Sequence, residues 1–203
     1  MKLYLIRHGK TQHNVENRHQ DETSALLPES LNDISLLAPK LKALDAQAII
    51  SSPFGRTIKT AEIINGALNL PIEVDDSLKE IKRPTLVEGR LKNDDDVVQI
   101  KQLMYENRAV KEWHHSDEEN FYDLKERVGE FVKRMESSSY ENVLVVTHNA
   151  IIKTIVTLVL FGEDLDVDTF YSFYNKTSVS NGGLVTCEFR EGKWNLKNFN
   201  VKL

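Results

Sequence analysis

The feature that most constrains the fold is an alternation: short, almost wholly apolar runs are separated by longer segments in which apolar residues recur at helical spacing. Leu3-Tyr4-Leu5-Ile6, Ala48-Ile49-Ile50, Ile72-Glu73-Val74 and Val143-Leu144-Val145-Val146 are the short runs. Strands buried on both faces have this character, because crossover helices cover both sides of a largely parallel sheet. Between them, Ile58, Ala61, Ile64 and Leu68 share one helical face, as do Phe121, Leu124, Val128, Phe131 and Met135. The expected fold is therefore α/β, a three-layer α/β/α sandwich with a mostly parallel, mixed central sheet.

Local signals refine this outline. Ile151 to Leu160 is rich in β-branched residues, yet its length after a loop favours a buried helix. Leu184–Phe189 and Trp194–Leu196 flank Arg190-Glu191-Gly192-Lys193 and predict a hairpin that adds antiparallel edge strands. Ser116 with Glu119 has the form of a capping box for the helix at Phe121. Pro39 falls within the series Leu31, Ile34, Leu37, Leu41 and Leu44, so that helix is expected to kink or start late. A single domain over residues 1–203 is expected, with a helical insertion around 90–116. There Val97, Ile100, Leu103 and Met104 follow the acidic run Asp94-Asp95-Asp96, which suits a solvated helix N-terminus.

Charge and cysteine content exclude some functions. With 26 Lys+Arg against 31 Asp+Glu the net charge is −5, so non-specific adhesion to nucleic acid or acidic lipid is not expected. Any anionic ligand must be met by a few placed cations. The single cysteine, Cys187, rules out an intrachain disulfide and suits a reducing compartment as a buried, inert thiol. No apolar run reaches the roughly 20 residues of a membrane span, and the N-terminal run is too short for a secretory signal. A soluble, cytoplasmic chain is the expectation; oligomeric state is not legible.

Open α/β sheets bind ligands beyond the carboxyl ends of their strands. The residues there are Arg7-His8-Gly9-Lys10-Thr11, then Ser51-Ser52-Pro53-Phe54-Gly55-Arg56, then Thr147-His148-Asn149, with Glu80 shortly after the third strand. Two imidazoles and two guanidiniums converging on one sheet edge suit a phosphoryl group, whose oxygens match the arginine fork. Taken singly, each has a plainer reading: a hydrogen-bonded structural histidine or a solvated arginine. Metal ligation is the chemical rival, but the sequence lacks a His-Glu-x-x-His spacing, and the neighbours His114 and His115 would diverge on a regular element. Neither a P-loop nor a G-x-G-x-x-G turn is present, and Asn181-Gly182-Gly183 has the look of a turn.

These residues resemble the histidine phosphatase superfamily, the phosphoglycerate-mutase-like enzymes. Leu5-Ile6-Arg7-His8-Gly9-Lys10-Thr11 with Asn14 is similar to the family signature. Ser51 to Ala61, Leu78-Lys79-Glu80-Ile81 with Glu88-Gly89, Val145-Val146-Thr147-His148 and the closing region Asn181 to Asn198 agree in order. The resemblance implies a phosphohistidine on His8, with Arg7, Arg56 and His148 around the phosphoryl oxygens and no metal or other cofactor. It implies Glu80 as proton donor, with Glu88 as its positional rival. Thr11, Asn14 and Asn149 are expected to add neutral hydrogen bonds to the phosphate pocket, capping being the alternative for Thr11 and Asn14.

Departures from the family pattern bear on substrate. Asn149 stands where the family commonly has Gly, which requires the backbone to avoid a left-handed conformation or to use one that Asn tolerates. Residues 18–30 lack the Gly-rich loop of the glycolytic mutases, and the segment between Glu80 and Phe121 is short for one. Hydrolysis of small phosphorylated metabolites is thus expected ahead of phosphomutase activity, of a non-catalytic phosphate-binding module, and of a structural domain with coincidental strand-end residues. Lys79, Lys82, Arg83, Arg90 and Lys92 are open to two readings: recognition of a second anionic group, or a solvated charged face. His13 and His19 carry no assigned role.

Overall fold

The computed structural model describes residues 1–202. Its six strands are β1 (Lys2–Arg7), β2 (Ala48–Ser51), β3 (Ile72–Val74), β4 (Asn142–Thr147), β5 (Leu184–Arg190) and β6 (Lys193–Val201). They form one sheet in the order β3-β2-β4-β1-β5-β6. β1, β2, β3 and β4 pair in parallel, while β5 runs antiparallel to β1, and β6 to β5. The hairpin therefore supplies one edge strand, β6, and one interior strand, β5. It turns through Glu191 and Gly192, both with positive φ.

Alternating side chains divide the core between two faces. Leu3, Leu5, Ile50, Val143 and Val145 pack with α5 (Phe121–Glu136), α6 (Asn149–Phe161) and α7 (Val167–Lys176). Tyr4, Ile6, Ile49, Leu144 and Val146 pack with α2 (Pro28–Leu37) and α3 (Gly55–Leu68) on the other side. Both faces are buried, which is why the strands read as unbroken apolar runs. Cys187 is buried in the first layer, and burial pushes its thiol up to about 12.

Two local expectations are corrected. Helix α5 is capped by Asn120, whose side chain accepts the Tyr122 and Asp123 N–H groups while Asp123 returns the bond to the Asn120 N–H. Ser116 does not cap it: its hydroxyl donates to Asp117 and Glu118. The Leu31–Leu44 series is not one kinked helix either. α2 stops at Leu37 and a 3-10 segment, Ala38–Leu44, carries Pro39 in its first turn, where a missing N–H costs nothing. The remaining helices are the short α1 (Gln12–Val15) and α4 (Asp95–Glu106), the latter within the 90–116 segment. Among the described residues, no helix is long and apolar enough to cross a membrane.

Candidate active site

Strand register brings the predicted residues together. Arg7 lies opposite Thr147 at the carboxyl ends of β1 and β4, and Ser51 opposite Val146 at the end of β2. The ladder continues one residue further: the His8 N–H donates to Thr147 O at 2.9 Å, and the Ser52 N–H to Val146 O at 3.0 Å. His8, Ser52 and His148 are thus held at the ends of three adjacent parallel strands.

His8 is 1% exposed. Its Nδ1 lies 2.6 Å from Gly9 O, an oxygen that can only accept, so Nδ1 carries the proton and Nε2 presents a lone pair. Burial first, then Arg56 and Arg7, hold its pKa well below the ordinary value of 6.5. The ring of His148 stands 5.2 Å from that of His8, centroid to centroid. His148 Nε2 lies 2.8 Å from Ser52 Oγ, and its buried Nδ1 has no hydrogen-bond partner among the described residues. Burial, His8, Arg56 and Arg7 push this pKa well down too.

The arginines are anchored at one end and open at the other. Arg7 Nη1 donates to Val179 O at 2.6 Å, and Arg56 Nη1 to Asp21 O at 2.9 Å. The Arg56 guanidinium also lies 4.9 Å from the Phe54 ring centroid, a cation–π contact. Both buried Nε–H groups are unpartnered among the described residues. Burial lowers the Arg56 pKa to about 10, against the opposing pull of Glu80 and Asp21, so it stays charged at neutral pH. Buried N–H groups without partners are costly in an isolated protein, and the two guanidinium Nε–H groups, with the unpartnered His148 Nδ1 in the same cluster, describe a socket for an anion.

Gly9 has a steric reason. A Cβ there would come within 2.5 Å of Ser30 Oγ and 3.2 Å of Leu26, and Ser30 Oγ already accepts the Lys10 N–H at 2.6 Å. The loop after β1 therefore lies close against α2.

Glu80 follows β3 and a 3-10 turn, Asp76–Leu78. Thr147 Oγ1 donates to Leu78 O at 2.8 Å and Arg127 Nη1 to Lys79 O at 3.0 Å, fixing the chain just before it. The half-buried Glu80 shares a cavity of about 420 Å³ with Arg7, Asn14 and Asn149, and is the one acidic residue lining it. Glu88 is exposed and does not line that cavity; its pKa is raised by partial burial, Asp21, Glu22 and Asp117.

The remaining predicted residues divide. Thr11 caps α1, accepting the Asn14 N–H, while Asn14 Oδ1 accepts the Thr11 N–H and an Asn181 Nδ2–H. Asn149 opens α6 in ordinary helical backbone, so the feared left-handed conformation does not arise, and its Oδ1 accepts the Val179 N–H. Of the five predicted cations only Arg83 and Lys92 reach the cavity; sequence reasoning missed Arg18, Lys101, Lys153 and His19, which line it too. The available signal was Lys153, the one charge interrupting the apolar run of α6. Among the described residues no group of three or more His, Cys, Asp or Glu is arranged to hold a metal.

A sequence profile of the histidine phosphatase superfamily (branch 1) matches residues 3–202. The chain belongs to that superfamily. Among its curated relatives is the uncharacterized phosphatase PhoE of Bacillus subtilis, 27% identical over 199 residues, which span 97% of this chain and 93% of that protein. A probable phosphoglycerate mutase, GpmB of Salmonella arizonae, is 28% identical over 164 residues, 79% of this chain and 75% of its own length. Among solved structures, Bacillus stearothermophilus YhfR superposes with a TM-score of 0.79 at 28% identity, covering 96% of this chain and 94% of that one. Membership of the histidine phosphatases makes this chain an enzyme of phosphoric monoesters.

Proposed function

We propose that this histidine phosphatase hydrolyses small phosphorylated metabolites without a metal, by way of a phosphohistidine on His8. The observation that carries the reading is the pairing of a neutral His8, Nε2 free, with unpartnered N–H groups on Arg7, Arg56 and His148. The Nε2 lone pair attacks phosphorus, the P–O ester bond breaks, and the leaving oxygen takes a proton from the Glu80 carboxyl. Water then gives a proton to the Glu80 carboxylate as its oxygen attacks phosphorus. The P–N bond breaks, and inorganic phosphate leaves with His8 neutral again. Arg7, Arg56 and the His148 Nδ1–H absorb the charge on the transferring oxygens, the task a metal performs in other phosphoryl-transfer sites. Asn14 and Asn149 add neutral contacts at the rim, and Thr11 acts through Asn14. The buried Cys187 suits work in a reducing cytoplasm.

The test is phosphate release from 4-nitrophenyl phosphate in the presence of chelator, with rapid-quench trapping of base-stable phosphoprotein. His8→Ala should lose both release and label while its circular dichroism stays unchanged. A His8→Ala protein that still releases phosphate overturns the reading. A phosphomutase reading draws on the relative named as a probable phosphoglycerate mutase. It predicts interconversion of 2- and 3-phosphoglycerate faster than phosphate release. Phosphate binding with no turnover of any ester would leave a binding module.

A further inference from the structure

The cavity that Arg7 and Glu80 line extends beyond the groups the ester site uses. Beyond Arg7 and Glu80 its lining includes Arg83, Lys92, Lys101, Lys153 and His19. The four cations have no ion-pair partner among the described residues, and their hydrogen bonds end on neutral oxygens. Arg83 Nη2 donates to the Tyr174 hydroxyl at 2.9 Å, and Lys101 Nζ to Lys92 O at 2.8 Å. Lys153 Nζ donates to Tyr174 O at 2.7 Å and lies 3.5 Å from the Tyr174 ring centroid.

Cations just outside the cavity are treated differently. Lys79 pairs with Asp76 at 2.9 Å, Lys82 with Asp117 at 3.2 Å, and Arg90 with Asp94 and Asp96 at 3.0 and 2.9 Å. Arg18 also lines the cavity and pairs with Glu16 at 2.7 Å, whereas Arg83, Lys92, Lys101 and Lys153, in a protein with more acids than bases, are left without a carboxylate to repel one another. The strain is visible in the acidity of the three lysines. Lys92 and Lys101 are lowered by burial and by neighbouring positive charge, and Lys153 falls to about 8, chiefly by burial. His19, 8% exposed and with Nε2 unpartnered among the described residues, is driven to about 3 by burial, Arg83, Lys101 and Lys92. Glu80 is the one carboxylate lining the cavity among the described residues, and against the effect of burial Tyr174 and Glu80 hold the Arg83 pKa up. A concave, partly buried cluster of one sign is unfavourable until an anion enters it, and it then binds that anion strongly.

We infer that Arg83, Lys92, Lys101 and Lys153 form a second anion subsite, so that the preferred substrates are phosphomonoesters whose alcohol carries a carboxylate or a second phosphate. This rests on the ester site at His8 and extends it to substrate class. The unpartnered His19 Nε2 adds a neutral contact to the same group. A cavity of about 420 Å³ holds a metabolite of that kind.

The experiment compares kcat/KM at fixed ionic strength within two pairs. In the carboxylate arm, 3-phosphoglycerate is set against glycerol 3-phosphate; in the phosphate arm, propane-1,3-diol bisphosphate against 3-hydroxypropyl phosphate. 4-Nitrophenyl phosphate serves as the reference ester. The wild-type enzyme should prefer the member with the second anionic group in at least one pair by about tenfold or more, the scale of one charge-assisted hydrogen bond. Lys101→Met should reduce that preference about fivefold or more, and Lys101→Arg should restore it; Lys101→Gln substitutes if the Met variant misfolds. A ratio near one in both arms, or a preference that survives Lys101→Met, overturns the subsite. Hydrolysis of 4-nitrophenyl phosphate with ratios near one defeats the subsite and leaves the His8 reading standing. If no ester turns over, calorimetric Kd values for the same pairs decide: tighter binding of the member with the second anionic group, lost in Lys101→Met, supports the subsite, and equal binding overturns it.

Discussion

His8 and His148 meet edge to face, their ring planes at 61° and their centroids 5.2 Å apart, at the ends of adjacent parallel strands. Neither can take a proton cheaply while buried beside the other and two guanidiniums, so both are held neutral. Their hydrogen bonds then assign opposite tasks. Gly9 O keeps the proton on His8 Nδ1 and leaves the Nε2 lone pair free, as the proposed attack on phosphorus requires. Ser52 Oγ occupies His148 Nε2 and leaves the other nitrogen, Nδ1, without a partner among the described residues, the one the proposed mechanism turns to the anion.

Arg56 is 2% exposed and braced by Asp21 O and Phe54. Arg56→Ala should lower kcat on the order of 100-fold, the usual cost of losing one charge-stabilising donor. Arg56→Lys should recover little, because an ammonium cannot hold the Asp21 carbonyl and the phosphoryl oxygens in one plane. Steady-state kinetics on 4-nitrophenyl phosphate checks both, and near-normal turnover in either variant would remove Arg56 from the clamp.

Glu80 and Glu88 are separated by leaving-group dependence. A general acid matters most when the departing alkoxide is basic, so Glu80→Gln should cost about 100-fold on an alkyl phosphate and distinctly less on 4-nitrophenyl phosphate. Glu88→Gln, at an exposed position outside the cavity, should stay within about twofold on both. Equal losses on the two esters would refute proton donation by Glu80.

Gly9→Ala forces a methyl to within 2.5 Å of Ser30 Oγ. Overpacking of this kind costs about 1–3 kcal/mol. Since Gly9 O also fixes the His8 tautomer, kcat should fall together with the urea midpoint. Removing the obstacle with Ser30→Ala should restore part of the stability, though the Lys10 N–H then loses its acceptor.

Acid should destabilise the fold earlier than carboxylate titration would. His8, His148 and His19 all have folded pKa values below 6.5, His19 at about 3. As pH falls below 6.5 the unfolded chain binds protons that the folded chain refuses, so stability drops, by up to about 1.4 kcal/mol per pH unit for each group. Above 6.5 the contribution vanishes. His114, raised by Asp123, works weakly in the opposite direction. Urea unfolding between pH 7.5 and 5 measures the slope, which His19→Gln should reduce; an unchanged slope would show that His19 is not held neutral.

Local order was legible because each strand buries both faces and each helix one, so apolar pattern alone located β1 to β4, α3, α5 and α6. Sequence pattern failed where several polar groups compete for one task. Ser116 and Asn120 both precede α5, and only the path of the chain through Trp113 and Lys111, whose carbonyls accept the Asn120 amide, decides which one caps it.

By itself, then, the sequence determined the layered α/β frame and the set of strand-end residues, Arg7, His8, Arg56, Glu80 and His148, because periodicity and strand polarity are properties of neighbours in the chain. Only the tertiary structure decided which nitrogen of each histidine is free, that Glu80 and not Glu88 enters the cavity, and that Lys101 and Lys153 join Arg83 while Lys79, Lys82 and Arg90 are neutralised outside. Protonation, burial and charge pairing depend on distances between residues remote in sequence, and packing alone sets those distances.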